Sequence, residues 1–173
     1  MDIVSKFMVA SEESINDLFF LKKARYKDMY GNIVRPDQLN PYIDEQLDYG
    51  NAVRELNNFN NQTIIVYFKN EPAGFALIQQ TAGYPEALKG KRTLNYSCFY
   101  ILSKYDNNET RDSLWQKCLS AGRMSDAVWI EALQSDPFVP FLEDRGFEVH
   151  ERSYMLPFEQ PSYILIQYKS NIR

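Results

Sequence analysis

Apolar and polar positions along the first third of the chain follow the period of an α-helix. Residues 4–10 form a short apolar stretch that favours a strand, and a Ser-x-x-Asp pattern from Ser14 to Asp17 predicts the start of a helix. This helix ends at Gly31, and Arg35-Pro36 breaks the chain. A second helical region is predicted over residues 43–56, with Gly50 as a candidate interruption.

Downstream of this region, the pattern changes to apolar runs of strand length separated by turns and two further helices. Thr110 is predicted to cap one helix, which ends at Gly122, and Asp136-Pro137 heads a short helix that ends at Gly146. The predicted strands cover residues 63–69, 74–80, 94–102, 127–133, 147–156 and 162–168. The first two form an antiparallel hairpin, and the whole order indicates one α+β domain over residues 1–173.

Composition and charge narrow the class of protein. The 173 residues are 45% hydrophobic and 14% aromatic, which indicates a folded core. A net charge of −4 argues against nucleic-acid partners, and apolar runs of at most five residues argue against a membrane partner, since a span needs about 18. No secretory pattern opens the sequence, so we expect a cytoplasmic protein.

The thiols and the imidazole point to no metal or nucleophile chemistry. Cys98 and Cys118 lie in apolar segments and are interpreted as buried thiols. His150 is the only histidine, and no G-x-S-x-G pattern occurs. We therefore predict no metal site and interpret His150 as an ordinary strand residue.

Three segments, taken with the order of elements, resemble the GCN5-related N-acetyltransferase (GNAT) superfamily. Phe141, Gly146 and Phe147 match a helix that runs into a Gly-Phe pair; residues 100–105 (YILSKY) are similar to the end of the family's fourth strand, and residues 70–76 (NEPAGFA) to its turn between the second and third strands. The resemblance covers nearly the whole chain. It implies a mixed, mostly antiparallel sheet of six or seven strands with about four flanking helices.

The resemblance also implies a reaction: transfer of an acyl group from acetyl-CoA or another acyl-CoA to an amine of a small molecule or peptide. A homodimer is a further expectation. The residues that the resemblance places against the acyl-CoA are Tyr100, Ile101, Ser103, Asn107, Asn108, Thr110, Arg111, Ser135, Phe138 and Phe141. Ser135 is equally explained as a turn residue.

The predicted phosphate loop, residues 106–111 (DNNETR), departs from the family pattern because it contains no glycine. Together with Lys104, it has two cations against the carboxylates of Asp106, Glu109 and Asp112, for a local charge of −1. Asn107, Asn108 and Arg111 offset this in part, since asparagine tolerates left-handed backbone and arginine binds phosphate. The loop predicts weak or absent CoA binding. The alternative function is therefore a catalytically silent domain that binds a ligand or another protein.

The family's acid and base positions are also changed. Leu142 stands where the family has a proton-donating tyrosine, and Asn95 where it often has a carboxylate. The substitutes in the sequence are Glu131 as base and Tyr96 or Tyr154 as acid, although each is also explained as an ordinary strand side chain. Four tyrosines of the helical segment either line an acceptor cleft or pack the core: Tyr26, Tyr30, Tyr42 and Tyr49.

Overall fold

The computed structural model describes residues 2–80 and 83–169 and contains seven strands and five helices. The strands are β1 (Ile3–Phe7), β2 (Asn61–Phe68), β3 (Glu71–Gln79), β4 (Thr93–Ile101), β5 (Ala127–Leu133), β6 (Glu148–Met155) and β7 (Gln160–Tyr168). The helices are α1 (Glu12–Tyr30), α2 (Pro36–Gln46), α3 (Tyr49–Leu56), α4 (Asn108–Ala121) and α5 (Val139–Asp144). None of the helices in these residues is long and apolar enough to cross a membrane.

All seven strands form one sheet in the order β1-β2-β3-β4-β5-β7-β6. Among the described strands, only β4 and β5 pair in parallel, and every other neighbouring pair is antiparallel. The α+β, mixed and mostly antiparallel prediction is confirmed, and the strand count lies at its upper limit. There are five helices rather than about four because the second helical region forms two separate helices.

Three predicted helix boundaries were wrong, each because another polar side chain caps the helix. Ser11, not Ser14, caps α1: the Ser14 backbone N–H donates to Ser11 Oγ, and Ser14 Oγ accepts from the Ser11 backbone N–H. The break between α2 and α3 lies at Leu47 and Asp48, not at Gly50, because Asp48 caps α3. Asn107, not Thr110, caps α4, because its side chain accepts the Thr110 N–H.

The short helix α5 also begins later than Asp136-Pro137 predicts, at Val139. Asp136 still accepts a hydrogen bond from the Phe138 backbone N–H at 2.8 Å. This bond organises the turn that leads from β5 into α5.

The two faces of the sheet pack against different helices. On one face, β4 and β5 pack against Leu114 and Trp115 of α4 and Leu142 of α5. On the other face, Leu18 and Leu21 of α1 pack against the strands. All five of these apolar side chains are at most 3% exposed, so both helix layers are fixed to the sheet by burial.

Strand β4 contains a bulge at Ser97. Leu77 of β3 is opposite Cys98 and Ile78 is opposite Tyr96, so Ser97 has no partner. Tyr96 therefore packs in the core beside α4, whereas Cys98 packs in the core beside α1.

Candidate functional site

A cleft opens where β4 and β5 separate. The two strands pair only through Thr93–Ala127, Leu94–Val128 and Asn95–Trp129. Beyond these pairs each strand remains bonded to its outer neighbour, β3 or β7, so its inner edge carries backbone groups without a partner in the other strand. The side chain of Asn95 spans the last pair, donating from Nδ2 to the Trp129 carbonyl at 3.3 Å.

A cavity of about 480 Å³, here called the strand cleft, occupies this opening. It is lined by the end of β4, the turn after β5 and the second half of α1. Five of the residues that the resemblance placed against acyl-CoA lie on its wall: Tyr100, Ile101, Ser103, Ser135 and Phe138. The Tyr100 hydroxyl donates to Asp28 Oδ2 at 2.6 Å and so fixes the strand to α1.

Three carboxylates line the strand cleft, Asp28, Asp106 and Asp136, and the sequence analysis missed Asp136 as a chemical group. One oxygen accepts the Phe138 N–H, and the residue is half-buried at the cleft wall. Burial raises the pKa of this carboxyl above its ordinary value, opposed by the Phe138 N–H and by the charge of Arg25. A carboxylate with a raised pKa is suited to accepting a proton near neutral pH.

A second cavity of about 600 Å³, here called the helix cavity, lies between the sheet and the first three helices. Three charged residues line this cavity and not the strand cleft: Lys22, Glu45 and Glu55. Ser97 of the β4 bulge also forms part of its wall. Arg25 lines both this cavity and the strand cleft. The two cavities therefore adjoin at Arg25.

Of the four tyrosines of the helical segment, one lines a cavity, two pack in an aromatic cluster and one is half exposed. Tyr26 lines the helix cavity. Tyr30 and Tyr42 pack edge-on against Phe158, which follows β6, at ring-centroid distances of 4.9 and 5.2 Å. Tyr49 is half exposed and lines neither cavity. The aromatic cluster connects α1 and α2 to the β6–β7 turn.

The loop before α4 is closed by its own side chains. Asp106 lies on the wall of the strand cleft and forms a two-bond ion pair with Arg111, with Nε–Oδ1 and Nη2–Oδ2 distances of 2.5 and 2.7 Å. Asn107 has extended backbone, and its Oδ1 accepts the Thr110 N–H at 3.0 Å. One amide of the helix N-terminus and the nearest arginine are thus already engaged within the protein.

The remaining residues of the predicted acyl-CoA set lie off the cleft wall. Thr110 is fully buried, and Phe141 is stacked on Phe99 in the core at a centroid distance of 5.5 Å. Asn107, Asn108 and Arg111 belong to the α4 cap and its ion pair, not to the cavity lining. Arg111 and Phe141 lie directly behind the cleft wall, since Arg111 pairs with Asp106 and Phe141 stacks on Phe99.

The proposed acid and base residues line neither the strand cleft nor the helix cavity. Tyr96 is 1% exposed, and its hydroxyl donates to the Cys118 carbonyl at 3.0 Å in the core beside α4. Tyr154 lies on the edge strand β6, is 68% exposed and lines neither cavity. Glu131 accepts a hydrogen bond from Ser162 Oγ at 2.7 Å and likewise lies outside both cavity linings.

The two thiols lie in the core. Cys98 and Cys118 are free and buried, and burial raises the pKa of Cys98 to about 11. Such a thiol stays protonated at neutral pH and is a poor nucleophile. The described ranges contain no group of three or more histidine, cysteine or carboxylate side chains that could hold a metal ion.

Comparison with solved structures identifies the fold. Over 98% of its length, the chain is similar to the PaiA N-acetyltransferase of Thermoplasma acidophilum, solved with coenzyme A, and to an acetyltransferase of Streptococcus agalactiae; the TM-scores are 0.74 and 0.71 at 13% and 15% identity, covering 100% and 99% of those chains. FeeM, an N-acyl amino acid synthase from uncultured soil microbes, matches with a TM-score of 0.68 at 14% identity over 96% of this chain and 90% of its own. No protein-family model and no curated protein sequence matches the chain. The chain has the GNAT fold.

Proposed function

We propose that the protein is an N-acyltransferase that moves an acyl group from an acyl-CoA to an amine. The observation that carries the proposal is the strand cleft, which opens where the only parallel pair of the sheet separates and has Asp136 on its wall. The similar GNAT structures support it, since one contains coenzyme A and another is an N-acyl amino acid synthase.

The cleft fits the pantetheine arm of an acyl-CoA. This arm is a narrow chain with two amides, and the separated strands offer backbone N–H and C=O groups on their facing edges. Ser103 and Ser135 add hydroxyl groups, and Phe138 adds an apolar wall. We therefore assign Tyr100, Ile101, Ser103, Ser135 and Phe138 to the donor.

The fit to the diphosphate is poor. Asp106 presents a carboxylate to the cleft, and Arg111 is already paired with it. The donor is therefore held mainly through its pantetheine arm, and we expect weak affinity for the nucleotide end.

Asp136 is the proposed base. An ammonium has no free electron pair, so the acceptor must lose a proton before its nitrogen attacks the thioester carbonyl. The ammonium first gives one proton to the Asp136 carboxylate. The neutral nitrogen then attacks, the C–N bond forms and the C–S bond breaks, and the second proton passes from nitrogen to the leaving thiolate through water. Asp136 finally releases its proton to solvent. The nearby charge of Arg25 keeps part of the Asp136 population ionised against the effect of burial.

The first test is calorimetric titration with acetyl-CoA at low salt, alongside CoA and S-acetylpantetheine. Acetyl-CoA should bind, and S-acetylpantetheine should bind within about tenfold of it, because the loop contributes little to the nucleotide end. Absence of binding by all three up to millimolar concentration would contradict the proposal and favour the silent binding domain.

A pair of neighbouring variants locates the donor. Ser135 and Gln134 are both exposed, but only Ser135 lines the strand cleft. Ser135→Trp should fill the cleft and abolish binding of acetyl-CoA, whereas Gln134→Trp should leave it unchanged. Equal effects of both substitutions would place the donor elsewhere.

A further inference from the structure

Arg25 is a cation without a counterion at the junction of the two cavities. Within residues 2–80 and 83–169, no carboxylate oxygen lies within ion-pair distance of its guanidinium, and its side chain forms no hydrogen bond. The guanidinium packs against the ring of Tyr26, with its carbon 5.7 Å from the ring centroid. Four other arginines, at positions 35, 92, 111 and 145, each pair with an aspartate.

A partly buried guanidinium lowers the stability of the fold unless it binds an anion. Arg25 is partly buried on α1, so its charge has lost part of its hydration. A guanidinium presents a planar fork of N–H donors that matches the two oxygens of a carboxylate. An arginine that faces two cavities and lacks an internal partner is therefore suited to bind a carboxylate from solution.

The neighbouring charges fix the orientation of such a ligand. Lys22, one turn earlier on α1, lines the helix cavity and also lacks an ion-pair partner among the described residues. Asp136 and Arg25 both line the strand cleft and form no ion pair with each other. The other two carboxylates of this cleft are engaged, since Asp28 accepts from the Tyr100 hydroxyl and Asp106 pairs with Arg111. In the helix cavity, Glu55 accepts a hydrogen bond from Asn61 Nδ2. A cation and an anion thus border the same space, which complements a zwitterion.

We propose that the acceptor is a small-molecule amine that also carries a carboxylate, as a free amino acid does, with the carboxylate on Arg25 and the amine directed toward Asp136. This inference rests on the proposed function and specifies its acceptor. A peptide N-terminus offers a neutral amide where an amino acid has its carboxylate. The geometry therefore favours the amino acid over the peptide.

The test measures binding directly, without acyl transfer. The wild-type chain is titrated with the common amino acids and with their carboxamides, using thermal shift and then calorimetry. At least one amino acid should bind, and its carboxamide should bind about tenfold to a hundredfold more weakly, since a charge-assisted hydrogen bond is lost. Equal binding of acid and amide, or no binding of any amino acid up to about 10 mM, would overturn the inference.

Three variants assign the effect to Arg25. In Arg25→Gln, the amino acid should bind only as weakly as its carboxamide does. Arg25→Lys should lose less affinity, because it keeps the positive charge but not the planar fork of donors. Lys23→Gln removes one charge from the exposed side of the same helix and should change nothing. Unaltered binding by Arg25→Gln, with folding verified by its thermal transition, would refute the assignment.

A parallel titration with acetyl-CoA separates this inference from the proposed function. If acetyl-CoA binds but amino acids and their carboxamides bind equally, the acyltransferase proposal is retained and only the carboxylate-bearing acceptor is refuted. Amino acid binding through Arg25 without acetyl-CoA binding would retain the Arg25 site and remove the acyl-CoA reaction.

Discussion

The ion pair between Asp106 and Arg111 gives a quantitative prediction about the acyl donor. Asp106→Asn removes the negative charge from the cleft wall and keeps the size of the side chain. It also leaves Arg111 able to donate to a phosphate, because the competing carboxylate is gone. We expect acyl-CoA to bind more tightly to this variant than to the wild type.

The size of the effect follows from the charge that is removed. A phosphate held by the first turn of α4 would lie on the order of 5 Å from the Asp106 carboxylate, and two like charges at that distance repel by about 3 kcal/mol at an effective dielectric of 20. A Debye length of about 10 Å at 0.1 M salt reduces this to about 2 kcal/mol, or roughly thirtyfold in affinity. At about 0.01 M salt the gain rises toward roughly a hundredfold, since screening is weaker.

The assay is calorimetric titration of wild type and variant with acetyl-CoA at both salt concentrations. S-Acetylpantetheine serves as the ligand control, because it lacks the phosphates and should bind both proteins alike. Asp112→Asn is the matched protein control: Asp112 lies in α4, pairs with Arg145 and does not line the cleft. This substitution changes the net charge equally without altering the proposed phosphate environment.

Unchanged or weaker binding of acetyl-CoA by Asp106→Asn would refute the electrostatic reasoning about the loop. An equal gain in Asp112→Asn would show that net charge, not the cleft carboxylate, controls the affinity.

Three further predictions concern stability. Burial raises the pKa of Asp136 above its ordinary 3.8, so the folded state becomes less stable as pH rises through the raised value. Asp136→Asn should therefore melt at a higher temperature than the wild type near pH 7, and this gain should shrink toward pH 4. An unchanged melting temperature would contradict the direction of the pKa shift. Gly74→Ala would press a methyl group onto the Tyr100 carbonyl oxygen and to 2.9 Å from the Cα of the next residue, so urea unfolding should show a loss of about 2 kcal/mol or more, and a neutral result would show that β4 yields there. Phe158→Ala should cost about 3 kcal/mol in the same assay by emptying the tyrosine cluster, whereas Phe59→Ala, at a fully exposed ring, should cost almost nothing; equal costs would refute the role of the cluster.

The fold could be predicted because its signals are local. The apolar run along residues 127–133 and the apolar pattern at Leu114 and Trp115 both identify segments whose burial does not depend on distant detail. Helix starts were less predictable. Several polar residues at each start compete for the free amides, and the choice between Ser11 and Ser14 depends on backbone angles that sequence spacing does not fix.

The site was only partly predictable, because it depends on contacts between distant segments. Asp136 was interpreted as a helix-capping residue, and its position in the cleft depends on where β5 separates from β4. Arg25 lies within the predicted first helix, but only the fold shows that α1 places it between two cavities. Its missing counterion is a property of the whole fold. No local pattern in the sequence indicates it.

The bulge at Ser97 makes the length of β4 as important as its composition. Side chains on a strand alternate between faces, so inserting or deleting one residue exchanges the faces of all residues that follow. At the bulge this rule is reversed: deleting Ser97 would remove the bulge and leave the faces as they are, because Tyr96, Cys98, Phe99 and Tyr100 already alternate between the core beside α4 and the core beside α1. In a regular ladder that retained Ser97, Tyr96 and Cys98 would share a face, and Phe99 and Tyr100 would exchange sides. The cleft wall therefore depends on the bulge itself.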